Sequence, residues 1–568
     1  MKTFTNTKTT TLWLLATISF SLLSVKWMFA PAAWVAPAFL ILLMKEYKPW
    51  KSLLVGLSVL YVSSLIGSYK VMPFPTIVFV VIALIGALKH LIPFFLFHLL
   101  SKRVEGWYAT LLFPCLYVAY DCLNGFDGGG TWGSMGYTQV NNDALMQLVA
   151  VTGLWGVTFL VTWISALLAA WYSSGFSFSS IKKPAAVCSS LFVVVLIGGS
   201  IRTNSLWQKE TTTVRIAGIT GQNLELLQST YEAVFGSRLD VDLSKLTQTS
   251  PALQELNKGL VKFIENPGDP IFGDSHRQME AFQDSMLSVA KKEAIAGARI
   301  VAFSEGLLFT TKATEGKLIA KAGRLANENQ FYLLLTMASI IPGEVTMGSK
   351  YLENKALLIG PDGQVLNTFF KNKPVPLVEP SIQGDGKIPV IETPFGRIAI
   401  SICYDADFPY LMRQAGQQDA DIMLLPSGDW KEIAPYHAYM AKVRAIENGF
   451  SLLRPVSNAT SIASDYHGKV LGSNDFSSTG EHVVVSHLAT KGVTTIYSKM
   501  GDWLAWACLV TVVGISIVSF LTSPKGIAKM DSVREIENNS PQEPFNMHML
   551  RAHKASGSAV GPVEVEKD

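Results

Sequence analysis

Cysteine is scarce in this chain. Five occur in 568 residues, and Cys115, Cys122, Cys188 and Cys508 lie inside long apolar runs. Only Cys403 stands outside them, which leaves no pair of thiols in a shared aqueous compartment from which to build a disulfide framework. Charge is thin as well: 16% of residues are Asp, Glu, Lys or Arg, 49% are hydrophobic, and the net charge is +3. Such a balance is too apolar for a wholly soluble body. No basic block interleaved with aromatics appears, which argues against nucleic acid as a partner. The nine histidines show no His-Glu-x-x-His or comparable ligand spacing, so no metal and no other cofactor is expected.

Long apolar runs are plentiful instead. A bilayer crossing needs about 20 residues, and runs fall roughly at 10–26, 28–44, 52–68, 72–99, 106–123, 145–171, 184–200 and 502–522. They predict about eight spans, seven of them before residue 201. Lys2 and Lys8 precede the first run as they would in a signal peptide, but the chain passes straight into further spans, so an uncleaved anchor is expected rather than cleavage after "FAPAA". With the N-terminus inside, the inner segments carry Lys45, Lys48, Lys51, Lys102, Arg103, Lys182, Lys183, Lys525 and Lys529, and the short outer loops only Lys26 and Lys70. That asymmetry places the polar stretch outside the cytoplasm. The expected organisation is a membrane domain at 1–202, an extracytoplasmic domain at 203–500, a last transmembrane helix at 501–523 and a disordered cytoplasmic tail at 524–568. Lys89 and His90 interrupt the fourth run, and a break into two half-helices there would give both side chains polar surroundings. The glycine-rich loop 124–143 reads as a mobile flap near the interface or as an ordinary flexible connector.

The outer segment alternates strand and helix signals. Strands are expected at "VRIAGI" (214–219), "RIVAFSEG" (299–306), "FYLLLTMASI" (331–340), "RIAISIC" (397–403) and "DIMLLPSG" (421–428), with a hairpin turned by Pro361-Asp362-Gly363. Helices are expected at 278–294, 315–328 and 434–449. The stretch 223–276 reads first as a packed accessory helix and second as a membrane-contacting lid. The pattern is α/β, and in such sheets reactive groups collect where strands end. Glu305, Lys371 and Cys403 each sit at the lip of an apolar strand. Together they suit thiol acyl transfer: Glu305 to take the thiol proton, and Lys371 with the backbone N–H of Tyr404 to meet the charge that develops on the attacked carbonyl oxygen.

"FSEG", "FFKNKPVP", "ICYDADFP", "DIMLLPSGDW" and "AKVRAIENG", in that order, resemble the motifs of the nitrilase (carbon-nitrogen hydrolase) superfamily. With seven runs ahead, one behind, and "GTWGSMGYTQVNNDALMQLVAVTGLWGVTFLV" (130–161), the whole chain resembles the bacterial apolipoprotein N-acyltransferase family. The resemblance implies a multi-span α-helical membrane bundle carrying a four-layer α-β-β-α sandwich, and a catalytic triad of Glu305, Lys371 and Cys403 with Glu379 in support. Lys373 competes with Lys371, but counting back from Val375-Pro376 selects Lys371. It implies a membrane phospholipid as acyl donor, a diacylglyceryl lipoprotein as acceptor, and residence in the bacterial inner membrane with the catalytic domain on the periplasmic face. Departures are Phe369 where the family has tyrosine, "LVE" at 377–379 where it has "FGE", and Asp405 where the acyltransferases commonly have glutamate. Asp405 and "ICYD" keep a membrane-anchored amidase open as an alternative. A non-catalytic lipopeptide-binding relative is a further one.

Overall fold

A computed structural model describes residues 7–521, except 73, 105, 205–211, 244–245, 247–249, 347 and 477–481. It divides into two compact units, Met1–Val513 and Gly514–Asp568. The second contains the end of the last helix, which runs to Leu521, while the tail at 524–568 lies outside the described residues.

Helices occupy Thr7–Leu22, Ala30–Lys45, Pro49–Ser68, Thr76–Leu100, Leu112–Asn124, Leu154–Ser173 and Phe178–Thr203, and the C-terminal one is Trp503–Leu521. Among the described residues four helices are long and apolar enough to cross a membrane, namely Pro49–Ser68, Thr76–Leu100, Leu154–Ser173 and Phe178–Thr203. The bundle is thus a membrane bundle at that level, and the others are shorter than the sequence runs suggested.

Three expectations need correction. The run at 145–171 is not one helix: short turns at Asp143–Met146 and Val149–Thr152 end at Gly153, and a new helix starts at Leu154. Gly153 has φ +68°, and a Cβ there would lie 2.5 Å from the Tyr497 ring. Only glycine meets both demands, and an apolar run conceals the break. The Thr76–Leu100 helix, by contrast, passes unbroken through Lys89 and His90. Lys89 is instead paired with Asp127, and the His90 ring packs edge-on against Tyr120 at 5.5 Å. Nor is the segment 124–143 a free flap: Met135, Tyr137 and Val140 are buried in the bundle core, while Gly128, Gly129 and Gly133 have open space beside them.

The part from Thr213 to Ala489 is built on two mixed sheets. One runs Val483–Ala489, Thr213–Ile219, Ile300–Phe303, Tyr332–Ile340, Leu352–Ile359, Val365–Phe370, with Leu308–Thr311 beside Tyr332–Ile340. The other runs Val470–Asp475, Thr460–Ser464, Ser451–Arg454, Ile422–Leu424, Gly396–Ile400, Val390–Thr393. Strand alternation sorts the core. Val214, Ile216, Tyr332 and Leu334 face Ile398, Ile400, Ile422 and Leu424 between the sheets. Ala217, Ile219, Leu333 and Leu335 face outward onto Leu287, Ala290, Leu318 and Ala322 of the helices Gly273–Ile295 and Glu315–Asn329. Helices Pro409–Gln417 and Tyr436–Asn448 cover the second sheet, completing an α-β-β-α sandwich. The helix Pro251–Glu265 packs on the domain through Phe263 and Ile264, as the accessory-helix reading expected.

The Tyr436–Asn448 helix joins the two halves. All its residues but Tyr439 are buried. Ala438, Ala441 and Ala445 face the sheet, whereas Tyr436, Met440, Val443 and Ile446 belong to the core of the membrane bundle. Polar ends complete the joint: Glu447 accepts from the N–H of Leu154 (2.8 Å), and Arg444 donates to the Tyr137 hydroxyl (2.8 Å).

Candidate active site

Cys403 opens a short helical turn, Cys403–Asp407, separated from the end of the Gly396–Ile400 strand by Ser401 and Ile402. Its φ is +48°, a left-handed conformation that a side chain adopts only under strain, and its N–H donates to Pro426 O at 2.9 Å. Strain of this kind lifts the residue out of the strand's path. Asp405 fixes the turn from beneath. Its carboxylate accepts from the backbone N–H groups of Lys373 (2.7 Å), Ile402 (3.1 Å) and Asn372 (3.4 Å). Burial pushes its carboxyl up to about 7, although Lys371 and these amides oppose the rise. Tyr404 lies second in the turn, where the first N–H groups have no carbonyl of the turn to bond. Its hydroxyl donates to Gly128 O, in the loop from the membrane half.

The other predicted residues converge on the thiol. Lys371 Nζ lies 2.7 Å from Glu305 Oε1 and 2.5 Å from Glu379 Oε2. Glu305 Oε2 accepts from Gly428 N at 2.8 Å. Burial alone would lower the proton affinity of Lys371, but Glu305, Cys403 when ionised and Glu379 together hold the ammonium well above the usual lysine range. Burial pushes the Cys403 thiol well up, Glu305 and Asp429 add to this, and Lys371 and Arg454 only partly offset it. The resting group is therefore a thiol that needs a base to react. Lys373 takes no part in the ion cluster: its ammonium lies over the rings of Phe408 (4.9 Å) and Tyr410 (5.6 Å).

Two sets of polar residues escaped the sequence reading. Asn354 Nδ2 donates to both Glu305 Oε1 and Glu379 Oε1, each at 2.7 Å, so it sets the spacing of the two acids. Behind the thiol, Asp429 Oδ1 is 4.0 Å from Cys403 Sγ. Asp429 also meets His437 Nδ1 (2.8 Å) and Arg454 Nη2 (3.0 Å), while His437 Nε2 meets Asp407 Oδ1 (2.8 Å). Burial would lower the imidazole, but Asp429 and Asp407 carry it up to about 9, so His437 is a cation at neutral pH. Donor atoms of Cys403, Asp429 and His437 lie within 4.8 Å of one another, the spacing of a metal trio. Both imidazole nitrogens are already engaged by aspartates, and a metal ion would have to displace those bonds. Asp429 was within reach of the sequence argument, since it too follows a strand end in "DIMLLPSGDW".

Below the turn lies a cavity of about 370 Å³, walled by Phe20, Leu60, Ile82, Ala83 and Met135 and reaching Gly129, Trp132, Gly133 and Tyr436. Those last residues adjoin Gly128, which holds Tyr404, and His437.

Residues 246–496 match the family described as Carbon-nitrogen hydrolase, and residues 12–167 match the Apolipoprotein N-acyltransferase N-terminal domain. The chain is 24% identical over 525 residues to an apolipoprotein N-acyltransferase of Geobacter metallireducens, covering 87% of this chain and 91% of the relative. It is 24% identical over 374 residues to one of Haemophilus influenzae, covering 64% of this chain and 66% of the relative. A formamidase of Bacillus thuringiensis is 32% identical over 126 residues, 22% of this chain and 36% of that protein. Among solved structures, an amidase from Nesterenkonia sp. aligns with 54% of this chain and 99% of its own at 14% identity and a TM-score of 0.35. The formamidase likeness is confined to a segment, whereas the acyltransferase likeness takes in both halves, with a family domain of its own for residues 12–167. Residues 12–167 thus belong with the Apolipoprotein N-acyltransferase N-terminal domain and residues 246–496 with the carbon-nitrogen hydrolases, the pairing found in the apolipoprotein N-acyltransferases that the chain resembles along most of its length.

Proposed function

We propose that this chain N-acylates lipoproteins by a two-step transfer through Cys403. Glu305 takes the Sγ proton as sulfur attacks the ester carbonyl of a membrane phospholipid, and Lys371 with the N–H of Tyr404 stabilises the oxyanion. The ester C–O bond breaks, Glu305 returns the proton to the departing alkoxide, and a lysophospholipid leaves an acyl thioester. The α-amine of a diacylglyceryl-cysteine lipoprotein then attacks the thioester, giving an amide and restoring the thiol. Glu379 and Asn354 hold Glu305 and Lys371 in register. The observation that carries the reading is the apolar cavity of about 370 Å³ within the bundle, which reaches Gly129, the neighbour of the Gly128 that holds Tyr404. Fatty acyl chains need such a space, and small amides do not. The reading puts all eight helices in the bacterial inner membrane, with the catalytic half on the periplasmic face.

The test is intact mass of the purified protein after incubation with phospholipid. A fatty-acyl adduct on the unaltered protein and none on Cys403→Ser is the expected result, and equal adducts on both would remove the mechanism. The rival is a membrane-anchored amidase, favoured by the formamidase likeness. An amidase admits water, so its acyl-enzyme decays without an amine; here it should persist until a diacylglyceryl peptide with a free N-terminus is added. The same peptide, N-acetylated, should not discharge it.

A further inference from the structure

Lys89 is the one permanently charged side chain among the described residues lining the cavity, and it lies in the middle of a membrane-crossing helix. An ammonium at that depth is costly unless paired. Its partner, Asp127, is in the loop rather than in a helix, and both groups keep substantial exposure, 42% and 51% of their side-chain surfaces. Next in the chain is Gly128, whose carbonyl accepts from Tyr404, the neighbour of Cys403. A buried structural pair would be enclosed, whereas this one borders an open apolar space and adjoins Gly128, the residue that holds the Tyr404 hydroxyl.

Resting on the acyl-transfer reading, we infer that Lys89 is the binding site for the phosphodiester of the donor phospholipid, which displaces Asp127 from the ammonium. A phosphodiester carries a single negative charge and accepts hydrogen bonds as a carboxylate does, so it can replace Asp127 without leaving a bare charge in the bundle. Phosphate and acyl ester are close neighbours on glycerol. An anion held at Lys89 therefore brings the ester toward Tyr404 and Cys403, while the acyl chains take the Phe20, Leu60 and Ile82 walls. Asp127 serves as the resting partner of the Lys89 ammonium when no lipid is bound.

The experiment compares two donors with identical chains, phosphatidylglycerol and diacylglycerol, presented to the full-length protein in neutral detergent micelles, and follows acyl-enzyme by mass. The unaltered protein should prefer the phospholipid. Lys89→Met should cut that preference roughly 10-fold or more through KM, the scale of one charge-assisted bond, and Lys89→Arg should restore it. Asp127→Asn should leave the preference intact or raise it. If Lys89→Met slows both donors in equal proportion, or if Asp127→Asn loses the preference too, the pair is structural and the inference falls. Failure of the unaltered protein to form acyl-enzyme from either donor would instead overturn the acyl-transfer reading itself.

Discussion

Two ion clusters flank Cys403, and their charge balance differs. In front, Glu305 and Glu379 share the single ammonium of Lys371. Behind, Asp429 and Asp407 are matched by two cations, His437 and Arg454. The front cluster has a carboxylate to spare, which is what a base for a reluctant thiol requires. The rear cluster is balanced, so a proton gained or lost there leaves a buried charge unpaired, a costly state. One cluster is arranged to move a proton and the other to stay as it is.

Variants of the two clusters should therefore fail differently. Glu305→Gln should slow acyl-enzyme formation by about 1,000-fold, within the range for a lost general base. It should lower the thermal midpoint less than a rear-cluster variant does, because the amide oxygen still accepts from Asn354 and Glu379 still pairs with Lys371, although the bond from Gly428 N is lost. A collapse in stability equal to that of a rear-cluster variant would erase the distinction. Lys371→Ala should slow the same step by about 100-fold, read by quenched-flow mass spectrometry, and should also destabilise, since two acids lose their cation.

His437→Gln should act mainly on stability and on its pH dependence. The imidazole sits at about 9 in the native protein against 6.5 ordinarily. The native state thus keeps a proton that the unfolded chain releases, so the stabilisation is complete below about pH 6.5 and is lost as pH rises through about 9. Its size is roughly 3 kcal/mol at most. Thermal melts of the unaltered protein between pH 6.5 and 9 should fall more steeply than those of the variant, and parallel slopes would refute the balanced-cluster account. Lys373→Ala should have the smallest effect, less than about 3-fold on rate, because its ammonium meets only aromatic faces worth about 1 kcal/mol. A loss matching that of Lys371→Ala would reverse the assignment of the two lysines.

Glu305 and Lys371 of the front cluster were legible in the sequence because each follows an apolar strand, where a polar residue stands out, whereas Glu379, in a loop, came only from the family resemblance. The rear cluster was not legible. His437 and Arg454 lie in a helix and a strand whose other residues are buried for packing, and only the fold makes neighbours of them. Asn354 was hidden for the same reason, since an asparagine within a strand has no signal until its partners are known. The strands between Ser451 and Ala489 also passed unnamed. Several are short, and Val470–Asp475 is a partly exposed edge strand without a continuous apolar face. In the membrane half, apolar runs located the helices but could not show where Gly153 stops one, because hydropathy carries no information about φ.

The Tyr436–Asn448 helix, buried between sheet and bundle, also constrains how the chain is made. The helices it packs against are synthesised by about residue 203, more than 200 residues before it emerges. Until then the groove at Tyr137, Val140 and Leu154 has nothing to fill it, and the helix in turn has one apolar face with no partner except that groove. Contacts that distant close slowly, and exposed apolar surface invites aggregation meanwhile. Neither half is thus expected to reach its final form alone: a ribosome stalled before residue 436 should leave a protease-sensitive bundle, and extension past residue 448 should protect it.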